Sequence, residues 1–177
     1  MVAEIDIADP SLVVLIGAAG AGKSTFAEHH FADDEVLSSD RFRAMVSGDE
    51  ADQTATHAAF GRLHRELARR LAAGRLSVVD ATSLEPSSRR ALLARAAAAG
   101  VPTTAIVFDL PAETVLARNA ARRQRVVDES VVRHHLTRLR ASLDGPVPPL
   151  YREGFDQIIV LRDPTEADAV RIRRHPT

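Results

Sequence analysis

Residues 11–25 read SLVVLIGAAGAGKST, and this stretch decides the fold. Its first part, Ser11 to Ile16, is a short continuous apolar run, the form of a strand buried on both faces. Its second part, Gly17-Ala18-Ala19-Gly20-Ala21-Gly22-Lys23-Ser24, fits the pattern G-x-x-x-x-G-K-[ST]. A buried strand that ends in such a loop and then opens a helix is the context the pattern requires. Glycines let the backbone coil with its N–H groups turned inward, and the helix N-terminus adds positive partial charge. The loop therefore reads as a cradle for phosphates. Lys23 is placed to reach β- and γ-phosphates, Ser24 to offer a hydroxyl to Mg²⁺, and Thr25 to bond the α-phosphate, so ATP and Mg²⁺ are the expected cofactors. A plain tight turn between strand and helix would not call for this spacing.

Lysine usage points to the same place. Of the 23 basic residues only one, Lys23, is a lysine. On an exposed surface the two cations are often exchangeable. The exception falls where a compact ammonium does what a planar guanidinium cannot.

Outward from this stretch, strand and helix signals alternate. A helix is expected over 23–31, a strand over 36–38, a helical turn over 41–46 and a polar loop over 47–52. A long helix is expected over 53–73, with Phe60, Leu63, Leu67 and Leu71 at helical spacing and Gly74 as its stop. Strands follow at 76–79, 103–108 and 156–161. Helices follow at 85–99, 111–123 and 128–143, with a short last one from Pro164. Alternating elements of this kind imply an α/β fold with a parallel sheet flanked by helices. The length suits a single domain over 1–177.

Three groups of residues outside the loop carry candidate chemistry. Asp40 and Asp80 each follow a strand and could assist a magnesium ion. Val78-Val79-Asp80 has the apolar-then-acidic form of such a site, and a capping or turn role fits it equally. Asp40, three residues before Arg43, fits a proton acceptor beside an anion-binding arginine, and it fits a surface ion pair as well. Residues 118–140 hold Arg118, Arg122, Arg123, Arg125, Arg133, Arg138 and Arg140 against Asp128 and Glu129. Such a basic segment can close over a nucleotide as a lid, approximately 118–135, or lie solvated on a helix. Arg118 and Arg122, four apart, could face one ligand. Arg89 and Arg90 could touch phosphates or be solvated helix residues. His134 and His135 could be surface residues or phosphate contacts, and no histidine spacing suggests a metal.

Composition excludes several classes. The formal net charge is −1, so nucleic-acid binding would need a local patch. There is no cysteine, which removes disulfides and thiolate metal sites and fits a cytoplasmic location. The N-terminus MVAEIDIADP is acidic and lacks a long apolar run, so neither a signal peptide nor a membrane anchor is expected.

Six segments, in this order, support a family resemblance: GAAGAGKSTFAEHHF, EVLSSDRFRAMVSGDEADQTAT, LSVVDATS, VFDLPAE, RNAARRQRVVDESVVRHH and REGFDQIIVL. Through them the chain resembles the kinase module of the bacterial polynucleotide 5′-kinase/3′-phosphatase proteins of RNA repair. The resemblance implies an adenylate-kinase-like P-loop NTPase fold, with a five-stranded parallel sheet of order 2-3-1-4-5 and an arginine-rich lid. It implies transfer of the ATP γ-phosphate to the 5′-OH of a single-stranded polynucleotide end, and it allows a homodimer. It casts Asp40 as general base and Arg43 as the arginine on the phosphate next to the acceptor nucleoside. Arg118 and Arg125 become lid arginines on the ATP phosphates, and Arg122 and Gln53 fall in matching segments. Ser83 departs from the asparagine that the family often carries there. The rival reading is a P-loop kinase with a small hydroxyl acceptor such as a nucleoside, sugar or antibiotic.

Overall fold

The computed structural model describes residues 4–48 and 55–177. The chain enters through strand β1 (Glu4–Asp9) and passes directly into β2 (Leu12–Gly17). From there strands and helices alternate: α1 (Lys23–His30), β3 (Val36–Ser38), α2 (Ser39–Ser47), α3 (Thr56–Ala72), β4 (Ser77–Asp80), α4 (Pro86–Ala99) and β5 (Thr103–Phe108). Then come α5 (Ala112–Ala120), α6 (Glu129–Leu143), β6 (Gln157–Leu161), α7 (Pro164–Ala169) and β7 (Arg171–Pro176). β3-β4-β2-β5-β6 form one sheet in that spatial order, and every neighbouring pair is parallel. Counted from β2, this is the order 2-3-1-4-5.

β2 sits at the centre, and all six of its residues are buried. Its side chains alternate between two cores, which is why the run is apolar throughout rather than every second residue. Val13 and Leu15 join Phe26, Val78, Ile106, Phe108 and Val115 on one face. Leu12, Val14 and Ile16 join Leu63, Leu67, Leu71, Leu92 and Leu139 on the other. The expected apolar stripe of α3 is part of that second core. Because the five strands are parallel, the loops after β2, β3 and β4 open at one end of the sheet, where α/β folds bind ligands.

The two outermost strands lie outside the sequence expectation. β1 pairs with β7 in a separate parallel ribbon, with Glu4 opposite Arg171 and Asp9 opposite Pro176. Ile5 and Ile7 alternate into the first core beside Val170. Other element ends shift. α2 begins at Ser39 rather than 41, capped by the Ser38 hydroxyl, which accepts from the Arg41 N–H at 3.4 Å. α5 stops at Ala120, short of the expected 123. The expected start of the long helix at Gln53 lies outside the described residues.

Arg89 is a correction. It is 0% exposed and donates to the carbonyls of Ser83 and Leu84, to Ser142 Oγ and to the Glu153 carboxylate. It ties α4 to α6 and to Glu153, just after the turn at 149–152, and a phosphate cannot reach it. Arg90 is exposed.

Candidate active site

The loop between β2 and α1 is shaped by two left-handed glycines, Gly20 at φ +86° and Gly22 at φ +97°. A Cβ on Gly20 would stand 2.7 Å from the Val115 carbonyl oxygen and 2.8 Å from Asn119 Cβ. Only glycine therefore lets α5 lie against the loop. Gly22 turns the chain so that α1 starts at Lys23, with its N–H groups at the cradle. The Lys23 side chain folds back and donates to the carbonyls of Gly17 at 2.9 Å and Ala18 at 2.8 Å. Burial pulls its ammonium down to about pKa 8, the Asp80 carboxylate opposes the fall, and Arg122 and Arg125 add to it.

Ser24 Oγ donates to Asp80 Oδ2 at 2.7 Å. The contact links Asp80 to the first turn of α1. It is the last residue of β4 and turns to the loop, while α4 takes Glu85 as its cap. The pair offers two adjacent oxygens. Among the described residues no group of three histidines, cysteines or acids is placed to hold a metal. Such a donor set fits Mg²⁺, which keeps waters and takes most of its remaining ligands from phosphates.

Two cavities meet at this point. One, of ≈ 470 Å³, lies over the N-terminal half of α1 and is bounded by Phe108, His29, His30, Arg118 and Asp168. The other, of ≈ 620 Å³, runs between α2, α3 and the segment after α5, and is bounded by Asp40, Arg43, Thr56, Phe60 and Arg125. Lys23, Ser24 and Arg122 line both. A donor nucleotide in the first and an acceptor in the second would present to each other across these three side chains.

In the acceptor cavity the Asp40 carboxylate is paired with both Arg43 and Arg125. Arg43 lies one turn along α2 with its side chain 7% exposed, so the sequence pair is not the solvated surface pair that its spacing also allowed. Arg125 comes from the segment between α5 and α6 and has a left-handed backbone, φ +54°, uncommon for a residue with a long side chain. The arginines of this segment are spread over the two cavities. Arg118 borders the first, paired with Asp168 at 3.0 Å, Arg122 borders both, and Arg125 borders the second. The helical argument pairing Arg118 with Arg122 does not apply, because α5 ends between them. Both still line the donor cavity. Gln53 lies outside the described residues.

Sequence reasoning missed several supports. Asn119 clamps the segment between α5 and α6 by donating to the Val127 carbonyl at 2.7 Å and accepting from the Val127 N–H at 3.1 Å. His135 Nδ1 accepts from the Ala19 N–H at 3.3 Å, inside the cradle. Burial, with the charges of Lys23 and His134, holds its pKa below the usual imidazole value, so the ring is neutral and able to accept. Asp168 carried no motif at all. Ser83, the departure noted in sequence, has φ +49°, a conformation asparagine adopts more readily than serine.

Residues 12–146 match the family described as AAA domain. No curated protein matches the sequence. Among solved structures, a chain of the Pnkp1/Rnl/Hen1 RNA repair complex is similar at 24% identity and TM-score 0.65. The match covers 76% of this chain and 45% of that one, so the present chain spans less than half of it. A sugar kinase from Janibacter sp. HTCC2649 is similar at 22% identity and TM-score 0.57, covering 89% and 90%. Chaetomium thermophilum Kti12, solved with ADP-AlF3, is similar at 19% identity and TM-score 0.60, covering 89% and 93%. At these identities the likeness is one of fold, a P-loop kinase-like one.

Proposed function

The chain belongs to the AAA domain family, and from that premise we propose that it is a polynucleotide 5′-hydroxyl kinase, a single P-loop domain that moves the γ-phosphate of ATP to a 5′-OH RNA or DNA end. The observation that carries this reading is the acceptor cavity, where a carboxylate, Asp40, is flanked by a buried arginine, Arg43, across from Lys23 and Ser24. A proton acceptor beside a cation suits a hydroxyl whose neighbouring group is a phosphate. The resemblance of the SSD-x-x-R and lid segments, and the fold likeness to a chain of an RNA repair complex, support the same acceptor.

In this reading the donor's phosphates enter the cradle, and Lys23 exchanges the carbonyls of Gly17 and Ala18 for β- and γ-oxygens. Ser24 and Asp80 would hold Mg²⁺, which would supply charge neutralisation at the transferring phosphates. Arg118 leaves Asp168, and Arg122 and Arg125 turn to the transferring group, where they offset charge that develops on it. Arg43 takes the acceptor's phosphate, which frees the Asp40 oxygens. Asp40 then accepts the hydroxyl proton as the hydroxyl oxygen bonds to the γ-phosphorus and the bond to the ADP oxygen breaks. Gln53 is assigned to the acceptor side by resemblance.

A second reading, a kinase of a small hydroxyl acceptor, draws on the sugar kinase match, which spans about nine-tenths of both chains, and on the near-neutral charge. One assay separates the two. The protein is given Mg²⁺ and γ-labelled ATP with a 5′-OH oligonucleotide, or with the same strand already 5′-phosphorylated. Label on the 5′-OH strand alone, lost in Lys23→Ala and Asp40→Asn, is the expected result. Bound ATP with no labelled strand would sink the polynucleotide assignment in favour of the small acceptor.

A further inference from the structure

Behind the acceptor cavity lies a smaller one of ≈ 260 Å³ that nothing in the phosphotransfer scheme uses. Phe60, Thr82 and His135 line both cavities, so the two lie side by side. The smaller one's volume lies below the roughly 300–1,000 Å³ of pockets for drug-sized ligands, which suits one ring system rather than a whole nucleotide.

The lining favours a neutral aromatic ring. Val79, Leu84 and Leu92 make an apolar floor, and Phe60, His64 and the two neighbouring histidines of α6 bring flat side chains to its sides. The one strong cation at its edge, Arg138, is already paired with Glu85, its Nε donating at 3.0 Å. A phosphate would therefore meet an already neutralised pair, while a base would meet π-faces and polar edges. Thr56 borders the acceptor cavity and His64 the smaller one, so polar side chains accompany the flat ones.

Resting on the polynucleotide reading, we propose that this side cavity is a subsite for the second nucleobase of the acceptor strand, so that the enzyme measures more than the terminal nucleoside. Arg43 takes the first internucleotide phosphate, and the chain then delivers the next base past Phe60 into the cavity. There it stacks on Phe60 and hydrogen-bonds His64. Ser88, at the start of α4, forms part of the rim.

The test compares acceptors at fixed ATP: adenosine 3′-phosphate, a dinucleotide 3′-phosphate, and the same dinucleotide with an abasic second position. Stacking of one base supports a gain of about tenfold or more in kcat/KM. The expected result is that gain for the dinucleotide and none for the abasic form. In His64→Ala and in Ser88→Phe, which fills the cavity, the ratio of dinucleotide to mononucleotide falls towards one. The ratio is taken within each variant, so a loss of folded protein cancels. A ratio near one in the natural protein, an abasic acceptor as good as the intact dinucleotide, or an unchanged ratio in both variants would each overturn the subsite while leaving the kinase assignment standing. Failure of every acceptor with ATP bound would overturn the polynucleotide reading itself, and the subsite with it.

Discussion

Replacing Gly20 by alanine tests whether the phosphate loop and the lid are one mechanical unit. Two penalties can be worked out. An alanine forced to φ +86° costs about 1–2 kcal/mol. Its Cβ would also stand 2.7 Å from a backbone oxygen and 2.8 Å from another Cβ, neither of which is the free end of a flexible side chain. Relief requires α5 to move, and such overpacking costs about 1–3 kcal/mol. The sum is roughly 2–5 kcal/mol, a large part of the 5–15 kcal/mol that usually holds a domain together. Gly22→Ala is the matched control. Its φ is +97°, but the only close atom is the Arg118 guanidinium at 3.1 Å, at the end of a side chain that can swing away. Urea denaturation of both variants should therefore show Gly20→Ala less stable than Gly22→Ala by about 1–3 kcal/mol. Since α5 carries Arg118 and the Asn119 clamp, Gly20→Ala should also loosen the lid, seen as faster protease cleavage near residue 123. Equal stability of the two variants, or an unaltered lid, would refute the coupling of loop to lid through α5.

Three further outcomes follow from the geometry. Asp40→Asn should lower kcat by about 10²–10⁴ while ATP binding, followed by calorimetry, is retained; an active Asp40→Asn protein would remove Asp40 from proton transfer. Ile7→Ala should cost about 2–5 kcal/mol in urea denaturation, because Ile7 is 0% exposed and its ribbon packs on the main core; a cost below ~0.5 kcal/mol would mark the β1–β7 ribbon as peripheral. In the ligand-free protein, Lys23 binds its proton less tightly folded, near pKa 8, than unfolded, near 10.5. The unfolded state therefore holds more protons between these values, and stability should rise across pH 8–10.5 by roughly 3 kcal/mol relative to Lys23→Met. A flat difference between the two proteins over that window would contradict the burial of the ammonium.

What could be read in sequence was what each segment decides for itself. The buried strand at Leu12, the glycine spacing after it and the stripe along α3 are local patterns, and the strand order came through the resemblance those segments supported. β1 and β7 were illegible because neither is apolar enough alone; they form a ribbon by pairing Ile5 with Ile172 and acids with arginines across nearly the whole chain. Arg89 shows the same limit from the other side. Its type suggests solvent or phosphate, and only the fold reveals the carbonyls and carboxylate that bury it. Within the site, Lys23, Ser24 and Asp40 were legible from motif and position. His135 and Asp168 were not, since what matters about them is which backbone or arginine they face, and nothing in a single sequence records that.

The solitary lysine also makes the protein an unusual chemical reagent target. Apart from the terminal amine, Lys23 is the one primary amine in the sequence, and it is buried at the floor of the loop, the whole residue 7% exposed. Amine-directed acylation therefore has a single side chain to modify, with its depressed pKa favouring the reactive neutral form and a seated nucleotide shielding it. Adducts on Lys23, told apart by peptide mass from those on the terminal amine, then report what fraction of cradles was filled when the reagent arrived.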